Sequence, residues 1–328
     1  MVDLRNKSYL LGILILSLFS VAGCDAEKSS STLPNISKES DSQTKTQEIE
    51  KSVNAPSSQK LENIESAAPP EPPQAPARFK NVGEIHSLVK KTNPQYNGNG
   101  QFGLNEKGEV IQAQFPEAGI SNIEFLKNWP LQSLDLMANP VSDLSALAGK
   151  KSLQVLFIER TNVSDLGPIY GLPLKQLYIS NSPVKDLTPL IDMPLVEFNA
   201  VGTGISNLLP LARSPIQMIW LSETLVSDLT PLIACPIVSL TLHRTPTKDL
   251  EPLIGTNIRR LHIGESNVTD LTPIQSLRLE RLIFSPERIH KGLEEVKSMP
   301  FLKEIGTTFE TRMSPAQFWQ VFENSKNP

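Results

Sequence analysis

Cysteine and histidine are scarce in this chain, with two and four residues among 328. Cys24 and Cys235 alone cannot make a disulfide scaffold, and so few scattered ligands cannot complete a Cys/His zinc cluster. No apolar run reaches the roughly 20 residues that a membrane-spanning helix needs. Clustered basic charge is missing too. The net charge is −4, of which residues 1–24 carry +1 and residues 25–77 carry −4, leaving −1 for the rest. A near-neutral chain lacks the Lys/Arg density that neutralises phosphates, which excludes nucleic acid as a partner. Neither G-x-S-x-G nor H-E-x-x-H occurs, and no cysteine nucleophile has a base placed by a recognisable motif. The chain therefore reads as a non-enzyme without cofactor or metal. Gly98-Asn-Gly100-Gln-Phe-Gly103 matches G-x-G-x-x-G but follows a turn sequence, Asn93-Pro-Gln-Tyr-Asn, where a dinucleotide loop needs a strand.

Against these absences stands a repeat. From about Val110 to Pro286 the pattern L-x-x-L-x-L-x-x-T-x-V-x-D-L-x-P-L-x-x-x-P recurs at a near-constant 21 residues, one longer between Leu131 and Leu153, most clearly from Leu174 to Pro194. Units open at Leu131, Leu153, Leu174, Leu195, Ile216, Ile237, Ile258 and Leu279, after a degenerate copy at Val110. A fixed period in the 20–50 residue range indicates a solenoid, one cooperative array and not several domains. Positions 1, 4 and 6 are apolar with mixed residues between, the alternation of a short half-buried strand. Position 16 is proline in six units (168, 189, 210, 231, 252 and 273), and Thr188, Thr230 and Thr272 precede three of them as candidate N-caps of a short helical turn. Position 9 is Asn139, then Thr or Ser from Thr161 to Ser266, a column of small polar groups able to satisfy the turn backbone. The aspartates at position 13 are expected to bond local amides; one carboxylate per turn is too few for calcium.

These residues resemble the leucine-rich repeat family in its internalin-like form, with Thr or Ser where that form has Asn. The shortened 21-residue unit is similar to repeats common in planctomycete- and Lentisphaera-type bacteria. The resemblance implies an α/β solenoid with a parallel sheet on its concave side, short helical turns or loops on the convex side, and caps at both ends. The motif specifies fold and is nearly silent on function. Nine strands at about 4.8 Å give a sheet about 40 Å long.

The flanks suggest where the array works. Arg5 and Lys7 precede a 12-residue apolar run, Leu10 to Val21, ending in Val-Ala-Gly-Cys24. This resembles a bacterial lipobox, which makes Cys24 the lipid attachment site and the chain a membrane-anchored lipoprotein of the cell envelope, on its periplasmic or surface face. Residues 25–77 hold no aromatic residue and end in a proline-rich stretch, the composition of a disordered tether. Residues 78–109 form an N-terminal cap with a helix over Val82–Lys91 and strands around Asn105–Gly108. The repeats follow at 110–285 and the C-terminal cap at 286–328. There a helical pattern runs from Pro286 to Met299, a last strand covers Phe301–Ile305, and a capping box opens at Ser314.

Identity must then reside in the outward positions 3, 5 and 7. These hold Phe157, Tyr178, Trp220 and His262 at position 5, Met218 and Arg260 at position 3, and Met137 and His243 at position 7. Aromatics, methionine and arginine are the types enriched at interface centres. These eight residues are the candidate ligand-binding set, for a protein or peptide partner in the envelope. The alternative is a structural or adhesion protein recognising polysaccharide. His243 and His262 should lie about 7–8 Å apart at their side-chain origins. Arg244, Arg259, Arg260 and Arg281 gather near Glu265 and Glu280 as a mixed, solvated face. Cys235, before Pro236, reads as a small buried apolar residue.

Overall fold

The computed structural model describes residues 75–326. The expected signal, the Cys24 attachment point and all but the last three residues of the 25–77 tether lie outside the described residues. Helix α1 (Val82–Thr92) opens the described part, with Asn81 Oδ1 accepting from the Glu84 amide at 3.1 Å and Ile85 and Val89 buried. It is followed by an antiparallel pair, β1 (Gln101–Leu104) and β2 (Val110–Gln114). Phe102, Phe115, Phe125 and Trp129 pack edge to face above the first repeat and close the core at this end.

Each further unit contributes one three-residue strand at repeat positions 3–5. These are β3 (Ser133–Asp135), β4 (Val155–Phe157), β5 (Gln176–Tyr178), β6 (Glu197–Asn199), β7 (Met218–Trp220), β8 (Ser239–Thr241), β9 (Arg260–His262), β10 (Arg281–Ile283) and β11 (Glu304–Gly306). All are parallel to β2, in sequence order and in a register that sets like position against like. The sheet thus has ten parallel strands and one antiparallel edge. The position 4 residues, from Leu134 through Phe198 to Leu282, are fully or almost fully buried. Burying each such side chain contributes roughly 1.5–3 kcal/mol.

The convex returns are 3₁₀ turns, as at Thr188–Leu190 and Thr230–Leu232. Their caps differ from the expectation. Thr188 is the first residue of its turn, and the capping group is the position 13 aspartate: Asp186 Oδ1 accepts from the Thr188 amide at 2.8 Å and its hydroxyl at 2.6 Å. The same amide contact recurs at Asp143, Asp165, Asp228, Asp249 and Asp270. The Ser145, Thr188, Thr230 and Thr272 hydroxyls, and then these amides, hold the Asp143, Asp186, Asp228 and Asp270 carboxyls below their ordinary range. The position 9 hydroxyls act inside their own unit, Thr161 Oγ1 donating to Ile158 O at 2.7 Å and Ser182 Oγ to Ile179 O at 2.6 Å.

The turn after each strand has a feature that the residue pattern does not announce. Position 8 is left-handed at Glu117, Ala138, Arg160, Asn181, Glu223, Arg244 and Glu265, with φ between 52° and 58°. That geometry lets the position 8 amide reach the next unit, as in Ala138 N to Glu159 O and Arg160 N to Ser180 O, both 2.8 Å. The interstrand ladder gains a rung in exchange for about 1 kcal/mol of local strain. Ala138→Gly should therefore raise the unfolding free energy by about 0.5 kcal/mol, strain relief outweighing glycine's larger chain entropy, whereas Ala138→Val should lower it by about 2 kcal/mol. Urea titration of the two variants checks both signs.

The C-terminal cap departs from one continuous helical stretch. A 3₁₀ turn at Pro286–Arg288 and helix α2 (Leu293–Lys297) are separated at Gly292. Gly292 has φ 90°, and a Cβ there would sit 2.6 Å from the Thr272 amide nitrogen. Helix α3 (Pro315–Lys326) opens on the expected capping box, with Ser314 N donating to Gln317 Oε1 at 3.2 Å. It buries Phe318 and Trp319, with Phe318 against Phe284.

Candidate functional site

Parallel in-register strands turn the sequence columns into physical rows. Phe157 and Tyr178, on adjacent strands, have ring centroids 4.7 Å apart. Trp220 lies two strands beyond Tyr178, yet their centroids are 6.0 Å apart because both rings lean over Asn199. The three rings form one row, each half-buried. The Tyr178 hydroxyl donates to Glu197 Oε2 at 2.6 Å. Burial, this hydrogen bond and the nearby carboxylates hold its phenol well above the ordinary value, so it stays protonated. Met218 and Met137 border the row, half-buried.

An acidic group lies along the row on the β3 side. Asp135 Oδ1 accepts from the Met137 amide at 2.8 Å, and burial pushes its carboxyl up. Glu159, which follows Phe157 at position 7, is 2% exposed. Its carboxyl is pushed up to about 7, chiefly by burial and also by the Asp135 carboxylate. Neither acid stood out among the aromatic candidates. The signal that could have found them is a missing charge: positions 3, 5 and 7 from β2 through β8 contain no lysine or arginine.

The other end of the sheet is built differently. His243 and His262 stack with ring centroids 4.9 Å apart. Phe309, from the loop after β11, meets His262 edge to face at 4.8 Å. His262 is consequently 7% exposed, so it is a covered residue and not part of the open face. Ile283, the next residue in its column, is completely buried. Burial, and then the neighbouring His243, hold the His262 imidazole down at about 4. The arginines here are largely neutralised. Arg244 lies between Glu223 (3.4 Å) and Glu265 (2.8 Å), Arg259 pairs with Glu280 at 2.9 Å, and Arg281 pairs with Glu304. Arg260 is exposed. Cys235 is a buried free thiol, as its place before Pro236 suggests. The candidate residues thus divide into a partly exposed aromatic row on β4–β7 with the buried Glu159 beside it, and a histidine pair at β8–β9 in which His262 is covered and His243 half-buried.

Strand, lateral hydrogen-bonded turn and 3₁₀ return, repeated at a near-constant 21 residues, define a leucine-rich repeat solenoid. No family model and no curated protein matches the sequence. Among solved structures, internalin C2 of Listeria monocytogenes is similar with a TM-score of 0.52 and 20% identity, over 61% of this chain and 92% of that one. Another internalin of the same species aligns with a TM-score of 0.48 and 19% identity, over 68% of this chain and 74% of that one. A leucine-rich repeat protein of Leptospira interrogans aligns with a TM-score of 0.44 and 16% identity, over 56% and 57% of the two chains.

Proposed function

We propose that this chain is a lipid-anchored, extracytoplasmic binding protein that takes a protein or peptide partner on its strand face. The observation that carries this reading is the row Phe157–Tyr178–Trp220. Three large rings are held side by side on a rigid sheet, each only partly buried. Rigid aromatic anchors lose little entropy on binding and dominate interface energetics. The supporting scaffold also makes the surface pre-organised, which lowers the cost of association.

Peptides selected from a random display library on the wild-type protein test the assignment. Trp220→Ala should weaken their binding by about 30-fold or more, the loss expected for an interface hot spot. Tyr170→Ala, a change of an exposed ring outside the strand face, should leave it unaltered. Equal losses in both variants, or glycan binding that needs the same rings while no peptide binds, would assign the surface otherwise. The anchor reading rests on the Arg5/Lys7, Leu10–Val21 and Cys24 sequence. A fatty-acid analogue fed to cells should label the protein and fail to label Cys24→Ala; labelling of both removes the anchor.

A further inference from the structure

Glu159 is a buried acid whose hydrogen bonding is incomplete. Its Oε1 is shielded from solvent and has no partner among the described residues. The neighbouring Ser180 hydroxyl lies close enough to Glu159 to oppose the upward shift of its carboxyl, but its one proton goes to Asn199 Oδ1 at 2.7 Å, and that oxygen also receives the Val201 amide at 3.2 Å, which fixes it as the acceptor. Arg160, next in the chain, turns to the sheet edge and pairs with Glu117 at 3.2 Å. A carboxylate left this way inside a protein is costly, and an orphaned buried polar group in a native fold calls for a partner that completes it.

The surroundings specify the partner's charge. Asp135 and Glu197 lie on the same face, the Phe157 and Tyr178 rings form an adjoining wall, and no lysine or arginine occupies an outward position between β2 and β8. Carboxylates beside aromatic faces attract ammonium and guanidinium groups by charge and by the ring quadrupole together. We propose that Glu159, with Asp135 and the Phe157–Tyr178 rings, receives a lysine or arginine side chain of the peptide partner. This rests on the strand face being the peptide site and adds the charge that the peptide must carry.

A pH dependence accompanies it. The charged and titratable groups around Glu159 are Asp135 on β3, Arg160 with its partner Glu117, Tyr178 on β5 and Glu197 on β6. Tyr178 remains neutral, and Asp135 is shifted in the same direction as Glu159. Since the Glu159 carboxyl titrates near 7, about a tenth of it is ionised at pH 6 and most of it at pH 8. A cation that binds only the ionised form should bind about tenfold more weakly at pH 6 than at pH 8.

The display-selected peptides that depend on Trp220 provide the test. Each is resynthesised with arginine replaced by citrulline and lysine by acetyl-lysine, then titrated against wild type and Glu159→Gln at both pH values. Expected is a loss of about 30-fold or more on neutralising one basic residue, a similar loss in Glu159→Gln, and the tenfold pH effect in wild type only. Peptides that need Trp220 but tolerate both neutralisation and Glu159→Gln overturn the cation while leaving the peptide site intact. A selection that yields no Trp220-dependent peptide overturns both. Because the citrulline arm alters the ligand alone, it does not depend on how the variant folds.

Discussion

Glu159→Gln should be more stable than the parent at pH 8 by about 3 kcal/mol, and the gain should shrink below about 1 kcal/mol at pH 5. The folded carboxyl titrates near 7 against an ordinary value of 4.5, so the folded state holds its proton more tightly than the unfolded chain. Stability tied to that proton is fully present below pH 4.5 and is lost as pH rises to 7 and beyond. Glutamine keeps the shape and removes the ionisation. Asp135, also shifted upward, reinforces the trend in the parent. His262 acts in the opposite direction. Its imidazole titrates near 4 when folded and near 6.5 otherwise, so stability is lost as pH falls from 6.5 towards 4. The two windows overlap, and in the parent they nearly cancel between pH 8 and pH 5. With Glu159 removed, acidification from pH 8 to pH 5 should cost about 2 kcal/mol through His262 alone. Urea unfolding of parent and variant at the two pH values measures all four numbers. A parent and variant that differ equally at pH 5 and pH 8 would show that Glu159 is not held protonated by burial.

Asn139→Ala should cost about 4 kcal/mol, more than the loss of any other position 9 side chain. Asn139 is 1% exposed and serves two units at once. Its Oδ1 accepts from the Ala118 and Ile120 amides at 3.1 and 2.8 Å, and its Nδ2 donates to Phe115 O at 2.5 Å and Leu136 O at 3.0 Å. Alanine leaves several buried backbone groups of the preceding unit without partners, each worth about 1–3 kcal/mol, partly relieved by relaxation. Thr161→Ala removes the bond to its own unit's Ile158 and a long one from the Val163 amide at 3.5 Å, and should cost about 1 kcal/mol. Asn139→Thr should recover only that much, because a hydroxyl reaches Leu136 O but not the preceding unit. Denaturant midpoints of the three variants test the order. Hydrogen exchange should show the Asn139→Ala loss concentrated in β2 and the N-terminal cap. An Asn139→Thr protein as stable as the parent would show that the bonds across units carry no weight.

Asn139 also shows where legibility ended. The position 9 column was readable as a turn-closing ladder, but its seven members are not equivalent. In three later units the position 10 amide bonds directly to the preceding unit, as in Asn162 N to Val141 O at 2.8 Å and Leu225 N to Ile205 O at 2.9 Å, whereas Asn139 is followed by Pro140, which has no amide to give. The first junction has its own backbone bonds, such as Phe115 N to Asp135 O at 2.8 Å and Glu117 N to Met137 O at 2.9 Å, and adds one amide side chain to them. The left-handed position 8 escaped notice because glycine occurs there in one unit only, Gly202, while Glu, Arg, Ala and Asn fill the others. Propensity does not mark a conformation that lateral hydrogen bonds impose.

The period, the strand positions, the buried columns and the aspartate-capped returns were determined by the residues themselves. Each depends on contacts within a unit or between like positions 21 residues apart, and a repeat makes those local. The character of the binding face was decided by tertiary structure alone. Tyr178 and Trp220 meet across Asn199, Ser180 gives its proton to Asn199 and leaves Glu159 incomplete, and Phe309 covers His262 from 47 residues away. These outcomes depend on which way side chains lean between strands and on what a distant loop covers. Burial and charge there are sums over neighbours from several units, and a column of letters lists the neighbours without saying which of them touch.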